Sequence, residues 1–409
     1  MIKSILSLGC ASMLLASSAF AYETMEDRLD TLEKKMQEVS AKNPQETLGA
    51  AFSTSRPDTV GTHWFGTLGV IYWHPKMGGT EYAYTNTSQN IIITLSRGQF
   101  REEDTITVQR PNPPNGDVKA NDFGWDLGLK AGLGYKTAHD KWDIYARYTW
   151  FESNSTSSTR KDDPSLLVAL KSLAALIASH AKSSVGIDYN NIDLELARSF
   201  FTSGRFSLRP HIDVKTTWLN LSQRVTYKFF NFRDTPITGL DFKVNHSCKL
   251  WGIGPRIGVD GKLFIGNGFS FNGDLAGSIL YSRFKANHKE IWPIIKQSSS
   301  QLSGGSIYSL KDSFHQFIPF VQMGLSLGWE TFLNKKKQHL SLKGGYEVQY
   351  FWRANQMSNV DQSLSYTFSG PVIGRGGTSA PYQSFRATPK KYSEDVMFYG
   401  ITGEARLDF

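Results

Sequence analysis

The chain has 409 residues, of which 40% are hydrophobic, 20% charged and 13% aromatic, with a formal net charge of +8. This composition excludes a disordered tail protein, and the two cysteines, Cys10 and Cys248, exclude a disulfide scaffold and a multi-thiolate metal cluster. The mean hydropathy of -0.33 resembles that of a water-soluble protein; a membrane β-barrel gives the same average, because its lipid-facing residues alternate with polar ones.

Residues 1–21 carry one early cation, Lys3, an apolar run over 5–16, and small residues at Ala19 and Ala21. They read as a secretory signal cleaved after Ala21. A lipoprotein signal ending at Cys10 would have too short an apolar run. Loss of the signal leaves Cys248 as the remaining thiol, either buried and inert or paired between chains. No window holds the ~18 consecutive apolar residues of a spanning helix. In 22–42, Met25, Leu29, Leu32, Met36 and Val39 step by four, three, four and three between charged residues. The spacing predicts an amphipathic helix, either a short coiled coil joining copies of the chain through 23–42 or a helix lying on a barrel rim. Asn43-Pro44 ends it, and 43–62 reads as a linker.

A period of two governs 63–409. Phe123, Trp125, Leu127, Leu129, Ala131, Leu133 and Tyr135 alternate with polar residues or glycines. Soluble strands average ~5 to 6 residues, whereas a tilted membrane strand needs ~9 to 11. The pattern recurs at 64–73, 142–150, 206–218, 251–259, 269–281, 317–329, 340–352 and 397–409. Over 185–196 the apolar parity slips, and a bulge at Asn190-Asn191 would repair it. Short links at 137–140, 201–204, 265–267 and 331–338 alternate with long ones at 74–121, 153–184, 225–247, 285–313 and 354–394. The fold class is therefore all-β, an antiparallel transmembrane barrel of about ten strands with short periplasmic turns and long external loops. Short strands at 91–95 and 364–368 would make twelve. Trp64 with Trp73, and Trp142 with Trp150, mark strand ends at headgroup depth. Asp163-Pro164 followed by Leu166, Leu170, Leu173 and Ile177 predicts a loop helix within 165–181, either narrowing the mouth or packing on neighbouring loops.

Polar faces turned inward make Lys130, Arg147, Glu195, Arg205, Arg209 and Lys215 candidate pore-lining residues. Arg256, Asp260, Lys343, Glu347, Glu404 and Arg406 complete the set. The signs nearly balance, which favours paired charges over strong ion selectivity. Inward glycines such as Gly128 and Gly132 either leave a passage or ease curvature. Gly252-Ile253-Gly254-Pro255 follows strand period with no helix behind it, so it is no phosphate loop, and no His-x-x-x-His spacing supports a metal. No catalytic residue, metal or cofactor is predicted. The positive surplus suits anionic outer-membrane lipid better than nucleic acid.

The first-strand run at 64–73, Ile192-Asp193-Leu194-Glu195-Leu196, Leu208-Arg209-Pro210, Trp251-Gly252-Ile253-Gly254-Pro255-Arg256, Gly344-Gly345-Tyr346-Glu347 and Arg406-Leu407-Asp408-Phe409 occur in this order. Together they resemble the Legionella-type major outer membrane protein family over most of 64–409. The resemblance implies an outer-membrane location and a pore passing small hydrophilic solutes. It carries over no catalytic residue. The alternative is a plugged barrel acting as an adhesin or structural envelope protein, its long loops meeting a host surface ligand. The terminal Leu407 and Phe409 resemble the signal that barrel-assembly machinery recognises.

Overall fold

The structure is a computed structural model that describes residues 63–96, 103–111, 116–137, 142–161, 165–172, 177–203, 205–229, 241–291, 307–334, 337–367 and 382–409. The expected signal, helix and linker of 1–62 lie outside the described residues.

Ten strands form the wall. They are β1 (Trp64–Met77), β2 (Asp126–Lys136), β3 (Asp143–Arg160), β4 (Ile177–Ala197) and β5 (Phe206–Phe229). β6 (Asp241–Gly266), β7 (Phe269–Ile291), β8 (Ile307–Leu333), β9 (Gln338–Asn355) and β10 (Glu394–Asp408) follow. Each strand pairs antiparallel with the next, and β10 returns to β1 with Phe65 opposite Asp408. Closure removes the unpaired edges that hydrocarbon cannot solvate. The β6–β7 link turns at Asn267 and Gly268, whose φ values of 52° and 82° give the tight left-handed reversal that a two-stranded hairpin favours.

Several strands are far longer than a bilayer requires: β5 has 24 residues, β6 has 26 and β8 has 27, against ~9 to 11 for a crossing. The surplus lies at the end away from the short turns, and there the two faces exchange chemistry. On β5 the outward Ile212, Val214 and Trp218 are exposed and apolar, while the inward His211, Asp213 and Lys215 are buried and polar. Beyond Trp218 the outward positions become Asn220, Ser222 and Arg224, and the buried inward ones become Leu219, Leu221 and Val225. β3 exchanges after Trp150, giving outward Glu152 and inward Phe151; β6 exchanges at Trp251, beyond which Lys249 faces out and Leu250 in. Lipid demands apolar atoms on the outside of the wall, and water drives them to the inside. One continuous sheet thus passes from a bilayer into an aqueous head.

This exchange corrects several expectations. The parity slip over 185–196 is no bulge, since β4 keeps regular register through Asn190 and Asn191 with both neighbours. Val185, Ile187 and Tyr189 point inward above the membrane, and Ile192, Leu194 and Leu196 point outward within it. Trp73 is likewise not a headgroup anchor: its side chain is fully buried inside, and Tyr72 holds the exposed position. Where the links expected at 153–184, 225–247 and 285–313 are described, they are largely strand. The predicted loop helix is replaced by a strand, Ser165–Ala169, and by the start of β4 at Ile177. Within so deep a head, apolar spacing of three and four can be met by a strand that crosses between layers. Near the expected strands at 91–95 and 364–368 stand two hairpins, Ala83–Ser96 with Glu103–Pro111 and Ser358–Thr367 with Tyr382–Lys391, outside the ten-strand closure.

Candidate functional site: the barrel interior

The interior is stacked in three layers along the axis. Nearest the short turns is a charged layer. Arg209 on β5 contacts three neighbouring strands at once: it donates to Asp143 on β3 at 2.5 Å and to Asp260 on β6 at 2.8 Å, and it pairs with Glu195 on β4. Arg147 and Lys215 share Asp193, at 3.2 and 3.3 Å. Arg256 pairs with Asp213 and donates to Gln322 on β8 at 3.1 Å. Lys130 on β2 reaches Glu347 on β9, three strands away around the wall. Asp408 pairs with Lys136 at 2.5 Å and accepts from Arg406 at 3.0 Å and His339 at 3.1 Å. Buried ions persist only when paired and hydrogen-bonded, because each costs several kcal/mol to desolvate.

Within this layer lies a cavity of about 230 Å³. Lys130, Arg147, Glu195, Arg209, Arg256, Asp260, Lys343, Glu347, Glu404 and Arg406 all line it. Lys215 is fully buried next to it, its ammonium 4.3 Å from the centre of the Phe320 ring. Arg205 stands exposed in the turn before β5, where its carbonyl accepts from the Phe264 amide. Leu407 and Phe409 face outward at the barrel seam, where the Phe409 amide donates to Trp64 at 2.9 Å.

The middle layer is apolar and fills the cross-section. Trp73, Phe151, Tyr189, Leu219, Leu250, Leu280, Phe320, Phe351 and Phe398 form one buried cluster contributed by nine of the ten strands. Gly128 of β2 fills the remaining gap: a methyl group there would lie 2.9 Å from Ile71. Phe398 stacks on Tyr189 at 4.9 Å and contacts Phe151 at 5.6 Å and Trp73 at 5.9 Å. Polar tips join this layer to the charged one. The Tyr189 hydroxyl donates to Gln349 at 2.9 Å, and Gln349 donates to Glu347 at 2.8 Å.

The outermost layer is built by two segments that enter the mouth, partly as paired strand. Residues 78–83 and 167–172 lie between the strand extensions, with Leu167, Ala169, Tyr82 and Ala83 packed on Ala181, Val225, Tyr227 and Val244. Hydrogen bonds hold them: Tyr227 hydroxyl to the Tyr82 carbonyl at 2.6 Å, Gln223 to the Thr80 carbonyl at 2.9 Å, and Lys171 to the Gly79 carbonyl at 2.9 Å. Burial draws the Lys171 ammonium below its usual range despite Glu81 and Glu394, and pushes the buried Cys248 thiol up to about 11.

Two chemical signatures stand in the same interior. Glu195, His211 and Asp213 can bring one ligand atom each within 4.8 Å, but Arg209 and Arg256 already occupy the two carboxylates, and His211 is bonded to Asp213 at 2.9 Å. Gly324-Leu325-Ser326-Leu327-Gly328 has the spacing of a nucleophile elbow, which requires a strand-to-helix turn; it lies mid-strand in β8, paired on both sides.

Residues 57–406 match the family model of the Legionella pneumophila major outer membrane protein precursor. The chain belongs to that family. Membership and the barrel together place it in the outer membrane. No curated protein matches the chain. Among solved structures it is similar to the outer membrane protease OmpT from Escherichia coli, with 10% identity and a TM-score of 0.38, covering 89% of this chain and 99% of that one. It is also similar to a Pseudomonas aeruginosa FadL homologue, with 8% identity and a TM-score of 0.22, covering 89% and 97%.

Sequence reasoning found the charged layer and missed the apolar one. The signal for it was present, since Phe151, Val185, Leu219 and Leu250 all stand at the parity that carries charges lower in the same strands.

Proposed function

We propose that the protein is a closed outer-membrane barrel that serves the envelope as a structural and surface-display element. The reading rests on the apolar layer. A hydrated solute path needs a continuous column of water, and the nine-strand cluster of buried Trp, Tyr, Phe, Leu and Ile side chains sets an apolar layer across it. Removing such side chains from their contacts costs ~3 to 5 kcal/mol each for the aromatic ones. The mouth segments at 78–83 and 167–172 add a second closure. What the barrel presents outside is then a β-built head, with two hairpins beside it, suited to contact with a neighbouring envelope protein or a host surface. The reading assigns the chain no catalytic step and no cofactor. Cleavage after Ala21 and insertion through the Leu407 and Phe409 terminus belong to the same proposal.

The charged cavity favours a second reading, passive passage of small hydrophilic solutes with the apolar layer as a gate. Liposome swelling separates the two. Proteoliposomes in an isotonic pentose solution are expected to swell no faster than empty liposomes. Swelling with a size cut-off between a pentose and a trisaccharide would replace the closed reading with the gated pore.

A further inference from the structure

The exterior of β5 to β8 carries a feature that the interior does not use. Trp218, Trp251, Tyr281 and Phe317 end the lipid-facing apolar run of these strands on the side of the head, with Ile291 and Ile307 paired at the far strand ends. Immediately beyond them the outward face of β6 and β7 turns basic. Lys249 follows Trp251, and Arg283 and Lys285 follow Tyr281; all three are exposed. Lys249 and Lys285 are direct cross-strand partners, and Trp251 is the partner of Arg283. Cross-strand neighbours of like charge stand about 5 Å apart at Cβ and destabilise a sheet unless an anion sits between them.

Among the described residues, no side chain forms an ion pair or hydrogen bond with any of these three cationic groups. Lys243, Lys289 and Lys311 extend the basic face further up the head. On the external parts of these four strands the outward acid is Asp241, at the far end, 4.0 Å from Lys228. The strands beside β5 differ, presenting Glu152 on β3 and Asp188 on β4 at the corresponding height.

We propose that Lys249, Arg283 and Lys285 form a binding site for the phosphate groups of a phosphorylated outer-leaflet lipid. The location selects a lipid over a soluble polyanion. The cations start where the lipid-facing wall stops, so a headgroup phosphate can be held while the acyl chains lie along Ile253, Ile279 and the exposed rings of Trp251 and Tyr281. Arg283 offers a planar fork of donors to phosphate, and the two lysines supply mobile point charges. At headgroup depth, rings with one apolar face and one polar edge are favoured. The site goes beyond the closed-barrel reading and does not depend on it, since it lies on the exterior wall.

The test uses the full-length barrel in detergent, titrated with lipopolysaccharide while bound lipid is counted by native mass spectrometry. The double variant K249A/K285A is expected to bind at least about tenfold more weakly than the wild type, because each cation near an anionic surface contributes to affinity. Enzymatically dephosphorylated lipopolysaccharide is expected to show the same loss on the wild type. K249R/K285R should bind normally, and K76A/K182A, which removes two exposed cations elsewhere on the head, should also bind normally. Heat-modifiable gel mobility checks that each variant is folded. Equal binding by K249A/K285A and wild type overturns the site. So does equal loss in K76A/K182A, which would mean diffuse charge, and so does tighter binding of heparin than of lipopolysaccharide, which would mean a soluble polyanion.

Discussion

Replacing Phe398 by alanine probes the apolar layer at its centre. The ring is fully buried and meets Tyr189 at 4.9 Å, Phe151 at 5.6 Å, Trp73 at 5.9 Å and Phe351 at 6.2 Å, residues drawn from five strands together with its own. Phe to Ala in a packed core costs ~3 to 5 kcal/mol, depending on how far the surroundings collapse into the gap. Here they can collapse little, because every strand is hydrogen-bonded on both sides and the closed wall fixes the barrel's girth. The upper half of that range is expected, about three powers of ten in the folding equilibrium. Phe398→Leu, which keeps most of the volume, should cost less than ~1.5 kcal/mol. Equilibrium unfolding in guanidinium, with the barrel refolded in detergent micelles and followed by tryptophan fluorescence, measures both. A loss under ~1 kcal/mol for Phe398→Ala would mean that the ring stands in water, and the filled interior would be refuted.

Three further outcomes are expected. Cys248, buried and with its thiol raised to about 11, holds only roughly a thousandth of its population as thiolate at pH 8; a maleimide should label it only after denaturation, and prompt labelling of the folded barrel would contradict its packing. Lys130→Met alone should destabilise by ~3 to 5 kcal/mol through the stranded Glu347, and adding Glu347→Gln should recover part of that loss; a double-mutant cycle in the same unfolding assay decides, with strict additivity as the adverse result. Tyr227→Phe removes the donor to the Tyr82 carbonyl at 2.6 Å and should cost ~1 to 3 kcal/mol. Its effect should appear as faster amide exchange at 78–83, and unchanged exchange there would show that the mouth segment is held by other contacts.

The membrane zone was legible in the sequence because lipid imposes one rule on every strand. Leu127, Leu129 and Leu133 had to alternate with Gly128, Lys130 and Gly132, and strand count, turn positions and inward charges followed from that alternation. The aqueous head was read less well because it obeys the opposite rule on the same strands. At Val185 and Ile187 the inverted parity looked like a register error, and at Glu152 to Arg160 the loss of outward apolar residues looked like the onset of a loop. Trp73 was misassigned for the same reason: a tryptophan near a strand end fits a headgroup anchor as well as a core filler, and only its odd position beside outward Tyr72 distinguishes the two. Arg205 belonged by residue type to the charged layer, but it precedes the first residue of β5 and falls in the turn. Leu166 and Leu170 have helical spacing, yet the segment pairs with 83–87 as a strand, a long-range partnership that local periodicity does not encode.

Single-barrel recording in a planar lipid bilayer puts the filled interior to the question. The full-length barrel is expected to insert without steps of current. Stepwise conductance by the unmodified chain would contradict an interior sealed by side chains.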